Sequence, residues 1–72
     1  MRGTIDADLM RERIRTLRKA NGKTLQAVGE AMGVTKQAVY QMESNPTGMS
    51  VKTLMALANA IGCNVFDFFM PS

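Results

Sequence analysis

Residues 24–43, which read TLQAVGEAMGVTKQAVYQME, decide the fold of this chain because they contain two short helical patterns separated by one tight turn. Thr24 is a residue type that caps helices. The apolar residues that follow it recur at i, i+3 and i+7 and would form one buried stripe: Leu25, Val28 and Met32. Gly33 is typical of the left-handed residue at which a helix ends.

A second helix, roughly residues 36–44, is predicted to follow this turn. Thr35 can cap it, and Val39 and Met42 lie on the side that we expect to be buried. Polar residues on the other side recur at helical spacing and are expected to face outward: Gln37, Tyr40, Gln41 and Ser44. Gly29 costs about 1 kcal/mol of helix propensity relative to alanine, so we expect the two helices to approach closely there. Such a helix-turn-helix can place its second helix in the major groove of DNA.

The composition is that of one ordinary globular domain, since the 72 residues are 46% hydrophobic and 21% charged. The single cysteine, Cys63, allows no internal disulfide, and without histidine the chain offers no ordinary zinc site of His and Cys ligands. No apolar run approaches the ~18 residues of a membrane-spanning helix. We therefore expect a cytoplasmic protein that binds no metal, no cofactor and no membrane.

Catalysis is not expected, because the sequence has no histidine, no clustered carboxylate pair and no glycine-rich phosphate-binding loop. The net charge of +3 suits a polyanionic partner but does not by itself require one. Much of the positive charge lies on the first predicted helix, at Arg11, Arg13, Arg15, Arg18 and Lys19. A solvated basic helix face is the ordinary interpretation of that distribution.

The N-terminal part predicts a short tail, residues 1–7, followed by a domain of residues 8–70. Asp6 or Asp8 can cap a first helix that runs from about Leu9 to Asn21. Its core side would carry Met10, Ile14 and Leu17, and Asn21-Gly22 is a typical helix end.

The C-terminal part predicts two more helices after a proline- and glycine-containing loop at residues 45–49. Ser50 can cap a fourth helix with an apolar stripe formed by Val51, Leu54, Leu57, Ala58 and Ile61, and Gly62 would end it. Asn64 can cap a fifth, residues 65–69, with Asp67 completing a capping box. The expected fold is therefore all-α, with five helices and no strand.

Five short motifs occur in order along residues 9–69: Ile14-Arg15-x-Leu17-Arg18, Thr24-x-x-x-Val28-Gly29, Gly33-Val34-Thr35, Glu43 and Leu57-x-x-x-Ile61-Gly62. No single motif is specific, but their joint order and spacing resemble the phage repressor and Cro-type (XRE) helix-turn-helix family. The resemblance implies a compact five-helix, lambda-repressor-like domain of bacterial or phage origin. It further implies a sequence-specific transcriptional regulator, expected to be a repressor, that binds a palindromic DNA operator as a homodimer through its third helix.

Positions that read bases in this family correspond to Lys36, Gln37 and Gln41, with Tyr40 beside them on the same stripe. Lysine can donate to guanine, and glutamine can pair with adenine through two hydrogen bonds. Ordinary solvated surface is the alternative for these residues. Phosphate contacts implied by the resemblance fall on Lys23, Thr24, Gln26, Thr35, Asn45, Thr47, Ser50 and Lys52. The family often has glutamine where this chain has Leu25, so one side-chain phosphate contact is expected to be lost.

Two further roles follow from the resemblance. Arg18 and Glu43 correspond to residues that form a structural ion pair between the first and third helices. Arg11 and Arg15 share a stripe with Arg18 and can reach DNA, a second subunit or only water.

The end of the chain predicts an interface. We expect Cys63, Val65 and Phe68 to point into the core, which leaves three apolar side chains with little cover: Phe66, Phe69 and Met70. A patch of this kind suggests self-association, and family dimers usually form around the fifth helix. The alternative is that the phenylalanines fold back onto the first helix.

Two other functions remain open at this level. The domain also resembles the small controller proteins of restriction-modification systems. It can also be an antitoxin-like module that binds a protein partner, such as a toxin or an anti-repressor.

Overall fold

The computed structural model describes residues 7–70, which form four α-helices: α1 (Ala7–Ala20), α2 (Leu25–Met32), α3 (Lys36–Ser44) and α4 (Val51–Ile61). Two 3₁₀ turns, Pro46–Gly48 and Val65–Phe69, are the other helical elements of residues 7–70, and this part contains no strand. The all-α expectation is confirmed. The expected fifth helix is the second 3₁₀ turn, because five residues after the Asn64 cap complete little more than one turn.

The N-terminal boundary differs slightly from the expectation. The first helix begins at Ala7, which was assigned to the tail, and Asp8 lies within its first turn. The remaining tail residues, 1–6, and Asp6 as a candidate cap lie outside the described residues.

Three hydroxyl caps fix where the helices begin. The Oγ1 atoms of Thr24 and Thr35 accept hydrogen bonds from the amides of Ala27 and Ala38 at 3.0 and 3.1 Å. Ser50 does the same for the N-terminus of α4. Each cap is worth about 1 kcal/mol because it satisfies an amide that has no partner within the helix.

The core lies between the four α-helices and the C-terminal 3₁₀ turn. Its buried apolar side chains are Met10, Ile14, Val28, Val39, Leu54, Leu57, Ala58, Ile61 and Phe68. Cys63 and Val65 pack against this core but are only half-buried, as are Leu17 and Met42. The expectation for Val51 was wrong, because this first residue of α4 is 70% exposed and lies beside the stripe that begins at Leu54.

The turn between α2 and α3 is as tight as the glycines predict. Gly33 ends α2 with a φ of 74°, in the left-handed region. A Cβ at Gly29 would lie 2.7 Å from the carbonyl oxygen of Val34 and 3.2 Å from the carbonyl carbon of Thr35. The close approach is therefore to the backbone of the turn that leads into α3.

Candidate nucleic-acid interface

Four side chains project from the outer side of α3. Lys36, Gln37, Tyr40 and Gln41 are all exposed, and Tyr40 retains 53% of its accessible surface. Ser44 was expected on the same stripe but is half-buried, because the last turn of α3 approaches α1. The outward stripe of α3 consequently ends at Gln41.

The inner side of α3 is fastened to α1 by an ion pair. The Nε of Arg18 lies 2.5 Å from Oε2 of Glu43, and both side chains are buried. The Nη2 of Arg18 donates to Oε1 of Glu43 at 3.4 Å, and Nη1 donates to the carbonyl oxygen of Lys23 at 2.9 Å. Arg18 therefore connects α3 with the loop that precedes α2, and it acts within the fold.

A basic concave surface surrounds the N-terminus of α2. Lys23, Thr24 and Gln26 line it together with Lys19 and Lys36. The first amides of a helix lack partners within the helix, and the helix dipole favours an anion there. Lysine side chains around those amides make this surface suitable for a backbone phosphate.

Lys19 was not among the sequence-predicted contacts. Lys19 lies on the last turn of α1. The chain reverses at Gly22, whose φ is 69°, and this reversal brings α2 next to Lys19. The sequence signal that could have found it is the Asn21-Gly22 helix end, which places the last turn of α1 next to the start of α2. Leu25, which stands where the family often has glutamine, lines the same concavity. Its neighbours there include Lys19 and Lys23.

A second polar group follows the other end of α3. Asn45 comes directly after α3, Thr47 lies in the first 3₁₀ turn, Ser50 caps α4 and Lys52 is the second residue of α4; all four are exposed. The Oγ of Ser50 is also 3.0 Å from that of Thr53. Along the chain, the exposed stripe of α3 therefore lies between the basic concavity and the polar group of Asn45, Thr47, Ser50 and Lys52. Lys36 belongs to both the stripe and the lining of the concavity.

The capping hydroxyls remain chemically able to bind phosphate. Thr24 and Thr35 use an acceptor lone pair for the cap. Each hydroxyl retains its proton, which can be donated to a phosphate oxygen. Both residues are exposed, so capping and phosphate contact are compatible.

The arginines of α1 mostly serve the fold. Arg11 donates to the carbonyl oxygen of Ser44 and pairs with Asp8, and Arg13 donates to the carbonyl oxygen of Asp67 at 2.9 Å. Arg15 is exposed. Arg11 and Arg18 therefore contact α3, and Arg13 contacts the C-terminal turn.

A family model described as helix-turn-helix matches residues 14–68. The chain belongs to the Cro/C1-type (XRE) helix-turn-helix family. Searches of curated proteins and of solved structures returned no match. The match includes all of α2, α3 and α4, and the family is one of DNA-binding regulatory domains, not of enzymes. This XRE-family chain is accordingly a DNA-binding regulator of transcription.

The C-terminal turn of this XRE domain exposes large apolar side chains. Phe66, Phe69 and Met70 are 71%, 47% and 54% exposed, while Phe68 between them is buried. Leu9 on α1 is also largely exposed. Phe66 thus does not fold back onto α1, which leaves an apolar surface on the described domain.

The described residues contain no group of three or more His, Cys, Asp or Glu side chains that could hold a metal ion. None of the helices in residues 7–70 is long and apolar enough to cross a membrane. Burial raises the pKa of the Cys63 thiol above its ordinary value of 9.0, and the negative charge of Asp67 raises it further, against a smaller effect of Arg13. The thiol is therefore protonated at neutral pH.

Proposed function

We propose that the protein is a cytoplasmic, sequence-specific repressor that binds a palindromic operator as a homodimer, with α3 in the major groove. The observation that carries the proposal is the exposed polar stripe on a helix that is fixed at both ends. Gly29 fixes its start against the turn, and the pair of Arg18 with Glu43 fixes its last turn. Base readout requires side chains presented in this way by a rigid element.

Roles within the site follow from donor and acceptor chemistry. Lys36, Gln37 and Gln41 read base edges, and Tyr40 contacts the sugar-phosphate backbone or a thymine methyl group. Phosphates are bound at the two flanking polar groups, by Lys23, Thr24, Gln26, Thr35, Asn45, Thr47, Ser50 and Lys52. Contacts of this second kind set the register of the protein on DNA and carry no sequence information directly.

The homodimer is proposed to form through Phe66, Phe69 and Met70. Two-fold contacts use the same patch on both subunits, so one exposed apolar surface is sufficient. Exposed aromatic residues of this size favour association because their burial removes apolar area from water. The dimer would place its two α3 helices about 34–36 Å apart, one turn of DNA.

The test is selection of random duplex DNA on the purified protein at near-physiological salt, followed by sequencing of the retained molecules. The expected result is a two-fold symmetric motif whose half-sites are about one helical turn apart. Enrichment of a motif without symmetry would contradict the dimer while leaving base readout in place. Absence of any enriched motif would contradict the proposal and favour an antitoxin-like role.

A protein-interaction role is the second candidate because the same apolar surface can accept another protein. In that case the apolar residues would bind the partner, and the α3 stripe would contribute no sequence preference. Affinity for DNA would then be uniform across sequences and would depend steeply on salt. Enrichment of a motif in the experiment above would favour the regulator, and its absence would favour the protein-interaction role. A controller protein of a restriction-modification system would also select a motif.

A further inference from the structure

Two arginines of α1 hold the C-terminal end of α3. Arg18 reaches the side chain of Glu43, and Arg11 donates through Nη1 to the carbonyl oxygen of Ser44 at 3.0 Å. The two arginines are seven residues apart, which places them on the same face of α1 two turns from each other. They bind consecutive residues of α3, one by its side chain and one by its backbone.

The contact of Arg11 satisfies a group that the helix itself cannot satisfy. The last four carbonyl oxygens of a helix have no partner within it, and a cation at this end is favoured by the helix dipole. At the end of α3, the amide of Asn45 donates to the carbonyl oxygen of Gln41 at 3.0 Å, and Arg11 donates to the carbonyl oxygen of Ser44. The partly buried guanidinium of Arg11 pairs with Asp8 through Nη2, while its Nη1 contacts the carbonyl of Ser44.

Two apolar residues also cover this end of α3: Met42 packs partly buried against the core, and the Pro46 that follows the helix is buried. The helix fully buries only Val39 and Glu43 among its nine residues. Its start is fixed more firmly, because the backbone of the turn lies against Gly29. In the described residues, the directional hydrogen bonds between this end of α3 and α1 come from Arg18 and Arg11.

We propose that Arg11 is a positioning residue that sets where Gln41 meets the DNA. The proposal rests on the proposed function and deepens it. With the start of α3 fixed near Thr35, a tilt of about 10° would move Gln41 by about 1.6 Å but Gln37 by only about 0.5 Å, given a rise of about 1.5 Å per residue. A displacement above 1 Å breaks a hydrogen bond to a base edge, whereas the smaller one preserves it.

The experiment compares Arg11→Met with Arg15→Met. Methionine retains an unbranched apolar side chain and removes the donor, and Arg15 is an exposed arginine of the same helix, so its variant is the matched control for charge. Operators mutated at one base pair at a time give the discrimination at each position. Gln41→Ala and Gln37→Ala identify which base pair each glutamine reads.

The expected result is that Arg11→Met lowers discrimination by about tenfold at the base pair read by Gln41, within the range of one bidentate contact. Discrimination at the base pair read by Gln37 should change by less than about twofold, and Arg15→Met should change neither. In the Gln41→Ala background, Arg11→Met should cause no further loss at that base pair. A uniform loss at every position with a smaller salt slope would overturn the proposal, because it would make Arg11 a phosphate contact.

Hydrogen exchange on the free protein tests the same contact without DNA. The amide of Asn45 should exchange faster in Arg11→Met than in Arg15→Met, because its bond to Gln41 lies in the loosened turn. Equal exchange in the two variants would overturn the proposal. If the wild-type protein selects no DNA motif, the proposed function fails, and this measurement still shows whether Arg11 holds α3.

Discussion

Replacing Glu43 by alanine should be among the most destabilising substitutions in this domain. Glu43 is 2% exposed and its partner Arg18 is 8% exposed, so the variant leaves a buried guanidinium without its counter-charge. Removing one partner of a buried pair costs about 3–5 kcal/mol. We expect the lower end, about 3 kcal/mol, because the carbonyl oxygen of Lys23 still accepts from Arg18.

That loss is large for a domain of this size. Stabilities of about 0.05–0.15 kcal/mol per residue give a total of about 4–11 kcal/mol here. The free energy of unfolding should therefore fall by a quarter to most of its value. The corresponding decrease in Tm is about 12–24 °C, at about 4–8 °C per kcal/mol for a small domain.

Urea denaturation followed by circular dichroism at 222 nm measures this change. Glu12→Ala, at an exposed position of α1, is the control and should stay within about 0.5 kcal/mol of the wild type. The double variant Arg18→Met with Glu43→Leu should recover most of the loss, because it removes both charges and keeps the volume apolar. A Glu43→Ala variant within about 1 kcal/mol of the wild type would refute the expected destabilisation. A double variant as unstable as Glu43→Ala would show that the unpaired charge of Arg18 is not the cause of the loss.

Four other variants test the site, the dimer and the turn. Gln37→Ala should weaken binding to the selected operator by about 5- to 150-fold, the equivalent of one bidentate base contact, and leave random DNA nearly unaffected. Lys52→Ala should weaken both about equally and reduce the salt slope by about 1 in filter-binding titrations. Phe66→Asp combined with Phe69→Asp should give a folded monomer by analytical ultracentrifugation, with much weaker operator binding. Gly29→Ala should lower the free energy of unfolding by about 1–3 kcal/mol, because the added methyl group would meet a backbone carbonyl at 2.7 Å.

Each of these has a result that would contradict it. Equal effects of Gln37→Ala and Lys52→Ala on operator and random DNA would remove the division between base and phosphate contacts. Val51→Asp with Met55→Asp changes two other exposed apolar residues, so a loss of the dimer there and not in the phenylalanine variant would move the interface to α4. Gly29→Ala would stabilise an unconstrained helix by about 1 kcal/mol, so a stabilised variant would contradict the close approach.

Features that depend on neighbouring residues were predictable from the sequence. The caps at Thr24, Thr35 and Ser50 and the left-handed glycines at the ends of α2 and α4 lie where the sequence places them. A cap requires one hydroxyl three residues from one amide, and a left-handed φ requires a residue without Cβ. Both conditions can be read within four residues of sequence.

Features that depend on the distance between helices were not predictable in the same way. The contacts of Arg11 with Ser44 and of Arg13 with Asp67 join residues 33 and 54 positions apart. Their sequence signature, basic residues on a helix, is the same as that of a solvated surface. Lys19 and the half-buried Ser44 follow from the same packing of α1 against its neighbours, which periodicity within one helix does not encode.

On the proposed function, stability and base readout would be coupled, because the same contacts would serve both. An apolar helix face would tolerate small shifts of α3, since dispersion contacts are individually weak and non-directional. The hydrogen bonds from Arg11 and Arg18 are directional and charge-assisted, so they define the position of α3 more narrowly. With Val39 and Glu43 fully buried and Met42 half-buried, α3 has a small apolar contact surface and a defined orientation, and a defined orientation is what the proposed reading of base edges would require.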